Sequence, residues 1–215
     1  MRYLSFLLFI GITGFSVIAC QGSTTLSEEA IEHDFDTTGL EKAHFASGCF
    51  WCVEAIFESV KGVKEVYNGY AGGHTDNPTY AASNTGRTGH AEAVQIWYDP
   101  EVITFKELVD VYFGSQNIDQ VNGQGPDNGT QYRSIAFYNN DDEKKIIATK
   151  ITDLKNQGFQ VASEVKAFEH FWMGEAYHQD YEKLHPNQSY IRSVSIPRLN
   201  KFKEKFPELL KENNH

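Results

Sequence analysis

Apolar and polar positions along the chain change period several times, and each change marks a different kind of segment. From Leu4 through Ile18 the residues are almost uninterruptedly apolar, with Arg2 before them and the small Ala19 at their end. That is the layout of a secretory leader, with its positive n-region, apolar h-region and small-residue cleavage site. The alternative is an uncleaved transmembrane anchor, which needs about 20 apolar residues, and this run is borderline short of that. Residues 21 to about 40 are polar, with scattered acids and no period, as expected of a flexible tether.

Folded patterning starts at Lys42. Ala43 to Ala46 reads as a short strand running into Ser47-Gly48-Cys49. Phe50 to Lys61 is helical, with Val53, Ile56, Phe57 and Val60 spaced i, i+3, i+4 and i+7, and Gly62 stops it. Val63 to Tyr70 predicts a second strand, followed by a glycine-rich loop through Ala71-Gly72-Gly73. Ala93 to Tyr98 alternates and ends at Asp99-Pro100. Thr104 with Glu107 forms a capping box for a helix whose apolar face is Phe105, Leu108, Val109, Tyr112 and Phe113. Gly114 to Thr130 has no period and reads as a long loop, a length that in compact domains usually serves function. Tyr132 to Tyr138 is a strand. Asn140 with Glu143 caps a helix carrying Ile146, Ile147, Ile151 and Leu154, which Gly158 closes. Phe159 to Phe168 is strand-like, a short helix covers Glu175 to Leu184, and a charged helical tail begins near Leu199. Strands interleaved with helices and long loops predict an α+β fold, a mixed α/β sandwich in which the first strand-helix-strand unit permits one parallel crossover.

Composition narrows the class. The formal charge is −10, and losing the leader removes Arg2 and leaves the balance more acidic still. That argues against nucleic acid and against attraction to anionic lipid. Val17-Ile18-Ala19-Cys20 resembles a bacterial lipobox, in which the cysteine is acylated as the first mature residue. The predicted organisation is a signal peptide at 1–19, a lipidated Cys20 with its tether at 20–41, and one domain at 42–215. On that reading the protein is exported to the bacterial cell envelope, periplasm or membrane surface, and held there by its acyl group.

Of three cysteines, the two that remain form one tetrapeptide, Cys49-Phe50-Trp51-Cys52. A disulfide-stapled scaffold spreads its cysteines, because longer loops benefit more from closure. Cys49 falls where a strand feeds a helix, so free backbone N–H groups and the macrodipole should lower its thiol pKa. Cys52 lies one helical turn on, with Cα atoms about 5 Å apart, close enough for a disulfide. The pair therefore suits a nucleophile with a resolving thiol. A lone C-x-x-C is also half of a zinc site, but no second pair accompanies it and the eight histidines are dispersed. A thioredoxin-like thiol-disulfide exchanger shares the motif. Against it, the two bulky aromatics beside the nucleophile make an apolar pocket that suits a methyl-sulfur group, although core packing accounts for either ring alone. A binding protein that recognises oxidised partners without turnover is a further alternative.

Gly48-Cys49-Phe50-Trp51-Cys52-Val53-Glu54 resembles the nucleophile motif of the A-type peptide methionine sulfoxide reductases. So do Tyr70-Ala71-Gly72-Gly73 with Asn77-Pro78-Thr79-Tyr80, Thr88 to Val94, Gly125 to Ser134 and Tyr177-His178-Gln179-Asp180-Tyr181. The resemblance covers nearly everything from Lys42 to Pro197. It implies a mixed α/β fold with a ferredoxin-like core and reduction of the S-epimer of methionine sulfoxide, free or in proteins. It makes Cys49 the nucleophile, Phe50 and Trp51 the holders of the substrate methyl, and Glu92 the proton donor to the sulfoxide oxygen. Tyr80 and Tyr132 would hydrogen-bond that oxygen, Asp127 would hydrogen-bond the site, and Tyr190 would be a further site tyrosine. The chemistry demands such groups: a sulfoxide oxygen leaves only when protonated, and Glu92 serves only if an apolar site raises its pKa. Cys49 would be left as a sulfenic acid, which Cys52 condenses to a disulfide. An external thioredoxin-like dithiol would restore the thiols, with no bound cofactor. Many family members resolve through a C-terminal cysteine; none follows Cys52 here. His90 and His178 read as structural or loop residues, and Arg133 as the partner of an unspecified carboxylate.

Overall fold

A central strand buried on both faces organises the structure, a computed structural model that describes residues 35–212. The leader, Cys20 and most of the 20–41 tether lie outside the described residues. The chain runs β1 (Glu41–Ser47), α1 (Phe50–Glu58), β2 (Val63–Ala71), α2 (Tyr80–Ser83), β3 (Ala91–Tyr98), α3 (Phe105–Gly114), β4 (Gly123–Gln124) and β5 (Asp127–Asn128). It continues with β6 (Ser134–Tyr138), α4 (Asp141–Asn156), β7 (Glu164–Ala167), β8 (Phe171–Met173), α5 (Tyr181–Leu184) and α6 (Ile196–Lys205). Six strands form one sheet in the order β7-β6-β1-β3-β2-β8, and β4 with β5 makes a separate tight hairpin.

Both β1 and β2 pair antiparallel to β3, so the first strand-helix-strand unit is a split crossover with β3 inserted between its strands. With β6 antiparallel on the far side of β1, the inner strands form the ferredoxin-like core. The parallel neighbours are β6 and β7, joined through α4. On one face, Phe45, Val66, Val94, Ile96 and Tyr98 pack against Val53, Ile56 and Phe57 of α1 and Leu108 and Tyr112 of α3. The other face is a smaller cluster of Ala46, Ala91, Ala93, Ile135, Phe137 and Phe171. Every residue of β3 is buried, which is why its polar members need partners: Gln95 meets His44 across the strands at 3.0 Å.

Local signals position the helices as expected. Thr104 and Glu107 close both halves of the capping box on α3, and Asn140 accepts from the Glu143 N–H at the head of α4. Helix α1 ends at Glu58, short of Lys61, because the Ser59 hydroxyl caps the Ile56 carbonyl. Four elements lay outside the periodic signal: α2 and β8, four and three residues long, and β4 and β5, two residues each within the long loop. Residues 159–163 do not extend β7: the Phe159 N–H closes the end of α4 on the Leu154 carbonyl, and the Gln160 and Ala162 N–H groups go to Asp119 and Ile118 of the long loop. The 175–184 helix is interrupted at Asp180, whose φ is +53°. The last helix starts ten residues early, at 189, and passes Pro197 through a π turn at Ile191–Ser195. A proline clashes with the carbonyl four residues back, and a π turn relieves that contact. Tyr132 lies in a 3-10 turn, not in β6.

Candidate active site

Gly48 sets the position of the nucleophile. Its φ is +87°, and a Cβ there would lie 2.4 Å from Gln124 Cβ, so only glycine makes this turn. Cys49 follows at the head of α1. The first N–H groups of a helix have no partner within it, and one of them is claimed from the sheet: the Phe50 N–H donates to Glu92 Oε2 at 3.0 Å. Glu92 projects from β3 toward the helices and is buried. Burial pushes its carboxyl up to about 8, against the Phe50 hydrogen bond and with Asp127 and Cys52 adding negative neighbours. A protonated acid thus sits beside the Cys49 backbone at neutral pH.

A cavity of about 210 Å³ opens at this point, lined by Cys49, Phe50, Trp51, Tyr80, Glu92, Asp127, Tyr132, Gln188 and Tyr190. The chain brings these together from α1, α2, β3, β5, the turn before β6 and the start of the last helix. Burial raises the phenols of Tyr80 and Tyr132, which keeps them hydrogen-bond donors. The Tyr190 hydroxyl donates to Asp127 Oδ2 at 2.5 Å. Trp51 is fixed twice: its indole stacks on Tyr181 with centroids 3.7 Å apart, and its Nε1–H donates to His178 Nδ1 at 3.2 Å. Among the described residues predicted for the site, only Cys52 is outside this cavity, buried one turn along α1.

The thiols differ from expectation. The lowered pKa expected for Cys49 is not found. Burial pushes its thiol well up, and the hydrogen bond and charge of Cys52, then the charge of Glu92, push the same way. The lowering falls on Cys52, to about 6, through the hydrogen bond from Cys49, with the Arg198 guanidinium adding to it. Within the buried pair an anion is favoured on Cys52, helped by the Arg198 guanidinium, over Cys49. The helix terminus alone does not decide the matter, because its Phe50 N–H is already engaged by Glu92.

Several further residues hold the site in place, most of them inside the motifs that carry the resemblance. His178 is buried and neutral, burial pushing its ring down to about 4, and besides Trp51 it touches the rings of Phe50 and Tyr80. Glu175 holds the Tyr80 N–H at 2.8 Å and the Tyr70 hydroxyl at 2.8 Å. Glu54 accepts the Asp180 N–H at 2.8 Å and so ties α1 to the loop bearing His178 and Tyr181. Glu54 ends the Gly48–Glu54 motif, and it is a carboxylate inside an otherwise apolar helix turn. Arg133 pairs with Glu164 at 3.0 Å and braces the Gly89 carbonyl. His90 accepts from the Gly73 N–H and makes a 2.7 Å contact with the Thr75 carbonyl, a structural role. Among the described residues no cluster of three or more His, Cys, Asp or Glu side chains is arranged to hold a metal ion.

Comparison with known proteins gives one answer. The family model described as peptide methionine sulfoxide reductase matches residues 41–210. The peptide methionine sulfoxide reductase MsrA of Nautilia profundicola is 45% identical over 163 residues, 76% of this chain and 94% of that protein. Its counterpart in Saccharolobus solfataricus is 42% identical over 80% of this chain and 98% of its own length. Among solved structures, the reduced form of Mxr1 from Saccharomyces cerevisiae superposes with a TM-score of 0.66 at 31% identity, covering 77% of this chain and 94% of that one. The methionine sulfoxide reductase A of Corynebacterium diphtheriae gives 0.64 at 32% identity, over 70% and 77%.

Proposed function

The chain belongs to the peptide methionine sulfoxide reductase family, and from that premise we propose a reduction of methionine S-sulfoxide, protein-bound or free, carried out by Cys49 and Glu92. The observation that carries this reading is the Glu92 carboxyl docked on the Phe50 N–H, in the same 210 Å³ cavity as the Cys49 sulfur.

The substrate methyl packs on Phe50 and Trp51, whose rings hold sulfur against Cys49 and keep water out. The sulfoxide oxygen faces Glu92, Tyr80 and Tyr132. As Cys49 attacks sulfur, negative charge builds on that oxygen, and the two phenols stabilise it while Glu92 transfers its proton. While Glu92 keeps its proton it places no charge beside Cys49, and the Cys49 proton passes to the Cys52 thiolate as the sulfoxide seats against the sulfur. Methionine leaves, Cys49 becomes a sulfenic acid, and Cys52 displaces its hydroxyl as water to form the disulfide. A thioredoxin-like dithiol then returns two electrons. A dedicated thiol-disulfide exchanger needs neither a buried acid nor three phenols around its sulfur, and the geometry does not favour that alternative.

Separated S and R sulfoxide epimers with dithiothreitol test the reading: consumption of the S epimer alone is expected, and insulin-disulfide reduction without sulfoxide consumption rejects it. Replacing Cys52 by Ser tests the resolving role, since turnover at the wild-type rate with a dithiol would remove it. The lipobox-like Val17-Ile18-Ala19-Cys20 supports export and acylation at the cell envelope. Labelled palmitate incorporated by the wild type and not by Cys20→Ser is the expected result, and equal labelling of both rejects the anchor.

A further inference from the structure

The thiol pair has a second opening. Besides the small cavity at Cys49 there is a groove of about 1160 Å³ that Cys52 helps to line. Asp127 and Tyr190 line both spaces, so their 2.5 Å hydrogen bond stands as a wall between them. Cys52 is almost wholly covered, 1% exposed, and contacts the Tyr190 hydroxyl at 3.8 Å. The groove is about five times the size of the cavity at Cys49. Arg198, Lys201 and Lys205 run along its α6 wall. Lys150 joins them, and the acidic members are Asp110, paired with that Lys150 at 2.6 Å, Asp119 and Asp127, so four cations face three carboxylates. An anionic sulfur entering there meets net positive charge.

We propose that the external dithiol reaches the oxidised enzyme through this groove and attacks Cys52, so that substrate and reductant use opposite openings. The proposal rests on the reductase reading of the pair. Thiol-disulfide exchange needs the incoming sulfur roughly in line with the bond it breaks. A nucleophile directed at Cys49 must therefore arrive on the side away from Cys52, and one directed at Cys52 on the side away from Cys49. The first route leads through a 210 Å³ cavity walled by Phe50 and Trp51, large enough for a methionine side chain and too small for a segment of protein. The second leads through the groove.

The step balances. A thiolate of the reductant bonds to Cys52 Sγ, the Cys49–Cys52 bond breaks, and its electron pair goes to Cys49 Sγ, which takes the Glu92 proton. The reductant's second thiol, its proton released to water, then displaces Cys52 as thiolate and closes the reductant's own disulfide. The enzyme gains two electrons, the dithiol loses two, and solvent reprotonates Glu92.

The test starts from full-length protein oxidised with diamide, which forms the disulfide without any sulfoxide. Glutathione serves as the probe, N-ethylmaleimide caps the freed thiol, and tandem mass spectrometry locates the adduct. Glutathione on Cys52 with maleimide on Cys49 is expected; glutathione on Cys49, or on neither, overturns the proposal. Ser193 is an exposed groove residue outside the small cavity. Ser193→Trp should slow disulfide reduction by glutathione about tenfold, equivalent to about 1.4 kcal/mol, and an unchanged rate also overturns the proposal. A burst of methionine from pre-reduced Ser193→Trp without added thiol reports separately on the reductase reading, and is expected at the wild-type size and rate.

Discussion

Glu92 owes its chemistry to three neighbours acting together: the low-dielectric surroundings that raise its pKa to about 8, the Phe50 N–H that aims it, and the cavity it shares with Cys49. Glu92→Gln keeps the acceptor and loses the acid, so sulfoxide reduction should fall about 10²–10⁴-fold in single-turnover methionine formation. The pH-rate profile should be bell-shaped. The upper limb falls through about 8 as Glu92 loses its proton, and the lower limb falls below about 6 as the shared anion on Cys52 is protonated. These limbs belong to a coupled set of groups; in the Gln variant the upper limb should vanish. His178 positions without reacting. His178→Phe strips the acceptor from the Trp51 indole, and a lost hydrogen bond of this kind is worth about 1–3 kcal/mol. The expected signature is a raised sulfoxide KM with kcat less affected and a shifted Trp51 emission, both recovered in His178→Asn. Equal loss of kcat and KM effects in Phe and Asn variants would instead mean general disruption of the fold.

Element boundaries place the reacting atoms. The turn at Gly48 aims the head of α1 at β3, and any side chain there strains the backbone at φ +87° and meets Gln124. Gly48→Ala should therefore lower activity at least about tenfold, since displacements of about 1 Å carry penalties of that order or more. The comparison is Thr104→Ala, which removes the hydroxyl half of the capping box on α3, away from the cavity. It should reduce stability by about 1 kcal/mol in urea melts while leaving kcat/KM unchanged. The π turn at Ile191–Ser195 follows directly after Tyr190, so the irregularity that admits Pro197 also sits beside the wall between the two openings. Helical periodicity does not reveal such a turn, because residues before and after it lie on different faces.

Over the whole molecule, stability should depend on pH through buried carboxyls. Glu54 and Glu92 are both raised from 4.5 to about 8, with burial the largest cause in each. A group whose folded pKa exceeds its unfolded value contributes fully below the unfolded value and loses that contribution as pH rises through the folded one. Each should thus weaken the fold by on the order of 2–4 kcal/mol between pH 4.5 and 8. Asp110, Glu164 and Glu175 are lowered, their ion-pair or hydrogen-bond partners outweighing burial. Their contribution is present above the unfolded values and is lost as pH falls through the folded ones. The midpoint of thermal unfolding should peak near pH 5 and decline toward pH 8.5. Glu54→Gln keeps an acceptor for the Asp180 N–H and should flatten that decline; an unaltered slope would assign the pH dependence to other groups.

Local chemistry determined much of this protein by itself. The 3.6 period of Val53, Ile56 and Phe57, the Thr104–Glu107 and Asn140–Glu143 caps and the alternation from Ala93 to Tyr98 reach only a few residues along the chain, so the sequence states them outright. The Cys49-Phe50-Trp51-Cys52 tetrapeptide likewise named its own nucleophile and resolving thiol as candidates. Which acid meets that sulfur, and which thiol of the pair holds the anion, depends on groups far apart in sequence. Glu92 reaches the head of α1 because β3 inserts between β1 and β2, and Arg198 favours the anion on Cys52 from a helix nearly 150 residues further along. Burial and electrostatic fields act through space, and only the tertiary fold sets those distances.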